Sequence, residues 1–274
     1  MIEPFDLNLY RRAFVACLII GFTSGYASAI VLLNRSPLKM AGLCHTLLPG
    51  VAIATWTFGL TVMSAFAGSV ITAVCVGLLT LALAQYSKIS EDTILVVLFS
   101  GAFALGILVI NQIGQTQELQ RWLMGNILGI SDLDLWMSFG VGLLVVSCLT
   151  LFKRPILITL FEPDIARTLG IQTILFSYLL FALLIFTLVT TLQAIGGILA
   201  IGLIVTPAAT VRQFTDSADT LMWASGFLGA FGASAGLFCS YHFNTPAGGT
   251  IILCLTAIFL VSFSLKKAWM RLYI

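Results

Sequence analysis

Apolar stretches of roughly 20 residues recur along this chain, and charged residues stand between them or at their margins. A run of that length lets a helix cross the hydrocarbon core of a bilayer, where every backbone N–H and C=O must find a partner within the segment. The runs fall at about 13–33, 37–60, 61–84, 93–111, 135–152, 171–191, 195–211, 221–241 and 248–265. Hydrophobic residues make up 59% of the chain and charged residues 9%. Soluble domains carry about a quarter charged residues. The expectation is an all-α polytopic transmembrane bundle of eight or nine spans, built as a single domain over 1–274.

The 11 acids all lie in breaks or at the margins of runs, so no span is expected to carry a carboxylate. Basic residues orient the bundle. Placing Lys153, Arg154, Arg167, Arg212 and the C-terminal Lys266, Lys267 and Arg271 in the cytoplasm is self-consistent. It also places Arg35, Lys39 and Lys88 inside, but it leaves Arg11 and Arg12 outside, against the rule. Either the first dozen residues lie along the interface, or one run does not cross fully. No small-residue cleavage pattern precedes Arg35, so the first run is expected to stay in place. The cysteines at 17, 44, 75, 148, 239 and 254 lie in or beside apolar runs, form no CxxC pair and read as small buried hydrophobes.

One of the 2 histidines, His45, falls inside the second run, one turn before Pro49. An ionisable, metal-competent side chain in a span is costly, so a functional site is the first reading. A histidine hydrogen-bonded to a neighbouring helix is the other. Cys44 is adjacent, about 100° round a helix, so the two can share a path only at its edges. His242, with Cys239 one turn before it, closes the eighth run. It can meet an incoming ion there or hold a polar tip at the interface.

Two connecting segments carry helical patterns. In 118–129, Leu119, Trp122, Leu123 and Asn126 fall on one side, which suggests an interfacial or re-entrant helix. In 162–170, Pro163 stands near the start, acids occupy the first turn and Gly170 marks the stop. Neither a phosphate-cradling GxxxxGK[ST] nor an HExxH motif occurs, and no connecting loop is long enough for a catalytic domain. An intramembrane enzyme would need a convergent set of reactive groups, and only His45 is available. No basic cluster suggests nucleic acid.

With these elements in place, the chain resembles the permease subunit of the bacterial ABC-type importers of zinc, manganese and iron, the ABC-3 permease family. The matching pieces, spread over about residues 11–265, are His45-Thr-Leu-Leu-Pro-Gly-Val-Ala, Gly125-Asn-Ile-Leu-Gly-Ile-Ser131, Glu162-Pro-Asp-Ile-Ala-Arg-Thr-Leu-Gly170, Gly202-Leu-Ile-Val-Thr-Pro-Ala-Ala-Thr-Val-Arg212 and Ser240-Tyr-His-Phe-Asn-Thr-Pro-Ala-Gly248. The resemblance implies a dimer of permeases in the inner membrane, two cytoplasmic ABC ATPases and an extracytoplasmic metal-binding protein. ATP is then bound and hydrolysed by the partner, the divalent metal is cargo, and this chain binds no cofactor. It implies His45 on the translocation path; by their own chemistry and position Cys44, whose thiolate would suit a soft ion such as zinc, and His242 are further metal candidates, with a buried inert thiol and an interfacial polar tip as the other readings. It also implies a cytoplasmic coupling helix near 162–170, with Glu162, Asp164, Ala166, Arg167 and Gly170 meeting the ATPase. The family pattern has an aspartate four residues before the histidine, and here that position is Ala41. This departure raises two alternatives: a permease for a metal chelate, or the less metal-liganding half of a heteromeric permease.

Overall fold

The computed structural model describes residues 8–59, 61–113 and 127–273. The proposed interfacial helix at 118–129 lies outside the described residues, apart from a 3-10 turn at Ile127–Gly129. The described helices are α1 (Asn8–Leu33), α2 (Pro37–Phe58), α3 (Val62–Tyr86), α4 (Glu91–Ile113), α5 (Asp132–Leu151), α6 (Lys153–Phe161), α7 (Pro163–Thr168), α8 (Thr173–Ile195), α9 (Gly197–Val211), α10 (Ala218–Phe243) and α11 (Ala247–Tyr273). Eight of them are long and apolar enough to cross a membrane. The seventh apolar run, 195–211, forms α9, which has 15 residues and a length of about 22 Å, short of the roughly 30 Å hydrocarbon core.

Local chemistry sets several boundaries. Pro37 opens α2 at a position where its missing N–H costs nothing, and Gly59 closes that helix at φ 79°. Thr61 and Ser64 make reciprocal capping bonds at the start of α3, and Ser131 and Asp134 do the same for α5. Gly196 separates α8 from α9 at φ 97°, ψ 158°, a conformation essentially restricted to glycine. Its N–H donates to the Leu192 carbonyl, and its own carbonyl accepts from Ala200, so one residue ends α8 and begins α9.

Apolar side chains gain little from leaving lipid for protein, so close packing and interhelical hydrogen bonds must hold such a bundle. Gly21 and Gly25 of α1 lie against the backbone of Ser225, Gly226 and Gly229 of α10. A Cβ on Gly21 would sit 2.7 Å from the Gly229 carbonyl oxygen. Gly50 of α2 faces Gly68 of α3 in the same way, and Gly106 of α4 packs on Pro49 of α2. Hydrogen bonds add to these contacts. Ser24 Oγ and Thr191 Oγ1, 2.7 Å apart, join α1 to α8. Ser28 Oγ accepts from the Ala208 N–H at 3.2 Å, next to Pro207, where the α9 ladder is interrupted.

The two ends of the bundle are chemically distinct. Arg12 Nη2 donates to Asp132 Oδ2 at 2.9 Å, and Tyr10 meets Tyr241 edge-on at 4.9 Å, at the end that carries the starts of α1 and α5. Lys39–Asp92, Lys153–Asp219 and Arg212–Asp216 pair at the other end. That end also carries Arg35, Lys88, Arg154, Arg167, Lys266 and Lys267, which makes it the cytoplasmic end. In that orientation α1 is long and apolar enough to cross, and Arg11 and Arg12 stand at its outer end. The incomplete segment is α9, which returns from the Gly196 break toward the cytoplasm. Among the described residues, carboxylates occur only at helix ends and in connections. The outer faces of α3, α4, α5 and α11 are apolar, with Ile71, Leu105, Leu143 and Leu253 all exposed.

Candidate metal translocation site

His45 lies in the first half of α2, on the cytoplasmic side of the Pro49 interruption. Its imidazole is half-buried against two rings of α4. Phe99 is 5.8 Å away and tilted, and Phe103 is 5.7 Å away and edge-on. These phenylalanines are four residues apart and share one helix face. Among the described residues His45 has no hydrogen-bond partner, which weighs against the structural reading of this histidine and leaves its ring nitrogens open to a ligand. Gly42 lets α4 close in one turn below. A Cβ there would lie 3.2 Å from the Phe99 ring and 3.3 Å from Leu95.

Cys44 faces elsewhere. It is 2% exposed, and its thiol donates to the Gly197 carbonyl at 3.1 Å. The adjacent pair is thus divided, with the histidine turned to α4 and the thiol to the start of α9. Ala41, one turn before His45, is half-buried and adds no ligand. His242 is exposed at the outer end of α10 and stacks on Phe238 at 5.5 Å. The Cys239 thiol meets Cys254 of α11 instead. Among the described residues, no group of three or more His, Cys, Asp or Glu side chains converges.

Sequence reasoning missed Phe99 and Phe103, because in sequence they are two of 20 phenylalanines in a uniformly apolar chain. It also missed Gln193, whose Nε2 is buried without a partner three residues before the Gly196 break. An amide inside an apolar run was the available signal.

The 162–170 segment forms α7 and its stop. Asp164 lies in the first turn and pairs with Arg167 at 3.3 Å. Gly170 has φ 75°, and Ile171 N–H returns to the Ala166 carbonyl at 2.9 Å, a glycine C-cap of the Schellman kind. Glu162, Asp164 and Arg167 are exposed, whereas Ala166 is fully buried. The exposed apolar side chains here are Ile165 and Leu169, which residue pattern alone does not single out. Beside α7, a cavity of about 480 Å³ opens between the start of α2 and helices α3, α6 and α8.

The family model described as ABC 3 transport family matches residues 6–266. The chain belongs to that family. It is a multi-pass inner-membrane permease, and the sequence resemblance is confirmed over almost its whole length. The ABC 3 chain is 35% identical over 262 residues to the manganese import system permease protein ScaB of Streptococcus gordonii, covering 94% of this chain and 91% of that protein. It is 33% identical to the manganese transport system membrane protein MntC of Halalkalibacterium halodurans, covering 92% and 86%. A Haemophilus influenzae protein named "Probable iron transport system membrane protein" is 32% identical, covering 96% and 92%. Among solved structures, PsaBC from Streptococcus pneumoniae in complex with Fab superposes with a TM-score of 0.89 at 30% identity, covering 100% of both chains.

Proposed function

We propose that this ABC 3 chain is the permease subunit of an ATP-driven importer of a divalent zinc, manganese or iron ion, and that the ion passes His45. The observation that carries this reading is the placement of His45. It is held on the interrupted helix α2 between Phe99 and Phe103, with no hydrogen-bond partner among the described residues. A neutral imidazole in that setting offers a nitrogen lone pair to a passing cation. The manganese and iron relatives favour those two metals over zinc.

The remaining roles belong to the same proposal. A second permease chain completes the path. An extracytoplasmic metal-binding protein delivers the ion, and cytoplasmic ABC ATPases hydrolyse ATP. Glu162 and Asp164, with Ile165 and Leu169, form the surface of α7 and its cap that meets the ATPase, and Arg167 borders both that surface and the cavity beside α7. Buried Ala166 and the Gly170 cap hold that face in place. Cys44 contributes through the Gly197 bond, and His242 stands at the outer entrance.

A second reading rests on Ala41. A carboxylate there would share a helix face with His45 and neutralise part of the ion's charge. Without it, this chain fits the weaker-liganding half of a heteromeric permease, or a permease for a metal chelate. Uptake by proteoliposomes carrying this chain, its ATPase and its binding protein tests both. ATP-dependent accumulation of free manganese or iron is expected. Uptake only of a chelated metal, or only when a second permease chain is added, selects the alternatives. No uptake of any metal by either assembly overturns the proposal.

A further inference from the structure

The geometry points to a binding site for one anionic phospholipid of the cytoplasmic leaflet in the cavity of about 480 Å³ beside α7. That volume lies within the roughly 300–1,000 Å³ range of sites that take organic ligands. The cavity stands at the cytoplasmic end of the bundle, where lipid headgroups meet the protein. Lys39 of α2 and Arg167 of α7 line it from two separate elements. Each also meets an exposed acid: Asp92 at 3.9 Å is one of the contacts of Lys39, and Asp164 lies 3.3 Å from Arg167; exposed pairs of this kind are weak and leave room for a phosphate beside them.

The deeper wall is apolar, formed by Leu43, Leu95, Phe181 and Leu184. The Thr159 hydroxyl, on a residue that also lines the cavity, is buried and has no partner among the described residues. A buried hydroxyl without a partner is costly, so its presence favours a polar ligand atom beside it. The mouth is bordered by Ile174 and Tyr178 of α8, which are 71% and 47% exposed. A tyrosine with one apolar and one wet end suits the headgroup level.

These features together select an amphiphile. A small anion would leave the apolar wall empty, and a neutral lipid would make no use of the two cations. A phospholipid with net negative charge satisfies both, with its phosphate between Lys39 and Arg167, its glycerol region at Thr159 and an acyl chain along Phe181 and Leu184. Because α2 also carries His45, a lipid seated here contacts the helix of the metal path and α7 at once.

The test is native mass spectrometry of the full-length permease, purified alone in detergent and offered phosphatidylglycerol or phosphatidylcholine. The expected result is one lipid retained per chain, with phosphatidylglycerol favoured by about tenfold or more. Lys39→Gln should remove most of that preference, and Lys39→Arg should keep it. Thr80→Phe, which intrudes on the cavity wall, should lower retention of both lipids. A single symmetric peak in size-exclusion chromatography checks that each variant is folded. Equal retention of the two lipids, no lipid retained, or retention unchanged in both Lys39→Gln and Thr80→Phe overturns the proposal. Displacement of the lipid by millimolar inorganic phosphate also overturns it, in favour of a small-anion site.

Discussion

The Cys44 thiol donates to the main-chain oxygen of Gly197 at 3.1 Å, joining α2 to the point where the chain turns back inside the bundle. That carbonyl lies in the first turn of α9, where the neighbouring Gly196 has already left regular helix geometry. The bond therefore fixes the depth of α9 relative to the helix that carries His45.

Cys44→Ala is expected to remove that donor and destabilise the fold by about 1–2 kcal/mol, while Cys44→Ser retains most of it. Thermal unfolding in detergent reads the difference as a drop of a few degrees for alanine. Metal uptake per folded molecule should stay near that of the unmodified chain. A thermally neutral Cys44→Ala that loses metal uptake would make the thiol a ligand instead.

His45→Ala should abolish uptake with little effect on folding. Packing of the imidazole on the Phe99 and Phe103 rings contributes only about 1 kcal/mol. Membrane expression and thermal stability close to those of the unmodified protein, together with absent transport, is the expected pair of results. Transport at unchanged metal affinity would return His45 to a structural role.

Ala41→Asp should strengthen metal binding. Positions 41 and 45 of α2 stack on one face, so an aspartate would add a charged oxygen ligand to the imidazole. Equilibrium binding to the purified permease should tighten by about tenfold or more, the equivalent of roughly 1.4 kcal/mol. Equal affinities would show that alanine does not weaken the site.

Gly50→Val should prevent normal assembly. A Cβ at Gly50 meets the Thr72 hydroxyl and the Gly68 carbonyl of α3, and backbone cannot move aside cheaply. A loss of about 1–3 kcal/mol or more is expected, seen as aggregation or reduced folded yield. Gly101→Ala is the control. Nothing lies within 4 Å of its Cβ position, so it should fold as the unmodified chain does.

Ile165→Asp and Leu169→Asp should uncouple ATP hydrolysis from uptake. Both side chains are exposed apolar groups on α7 and its cap, and charge there would weaken rigid docking. ATPase rates of the assembled complex should persist while metal uptake falls by about tenfold. Ala166→Leu acts differently. That residue is fully buried, so the larger side chain should first lower thermal stability.

The class of fold, the positions of the membrane helices and the confinement of carboxylates to their ends were legible in residue order alone. Those properties depend on run length and on the cost of charge in lipid, both of which are local. Pro163, Asp164 and Gly170 likewise located α7, because caps act within one turn. His45 stood out for the same local reason, as a polar side chain in an apolar run.

What depends on how helices meet was settled only in three dimensions. Residue types could not distinguish a full crossing from the short α9, since the break is made by one glycine conformation at Gly196 and anchored on α2 through Cys44. Nor could they show that His45 and Cys44 face different neighbours, that Ala166 is turned inward, or that Phe99 and Phe103 flank the imidazole. In a chain that is 59% hydrophobic, helices that face lipid and helices that face protein use the same residues. Apolar periodicity therefore says little about which side of each helix is buried. That was set by where glycines let two backbones touch, as Gly21 does with Gly229 and Gly50 with Gly68.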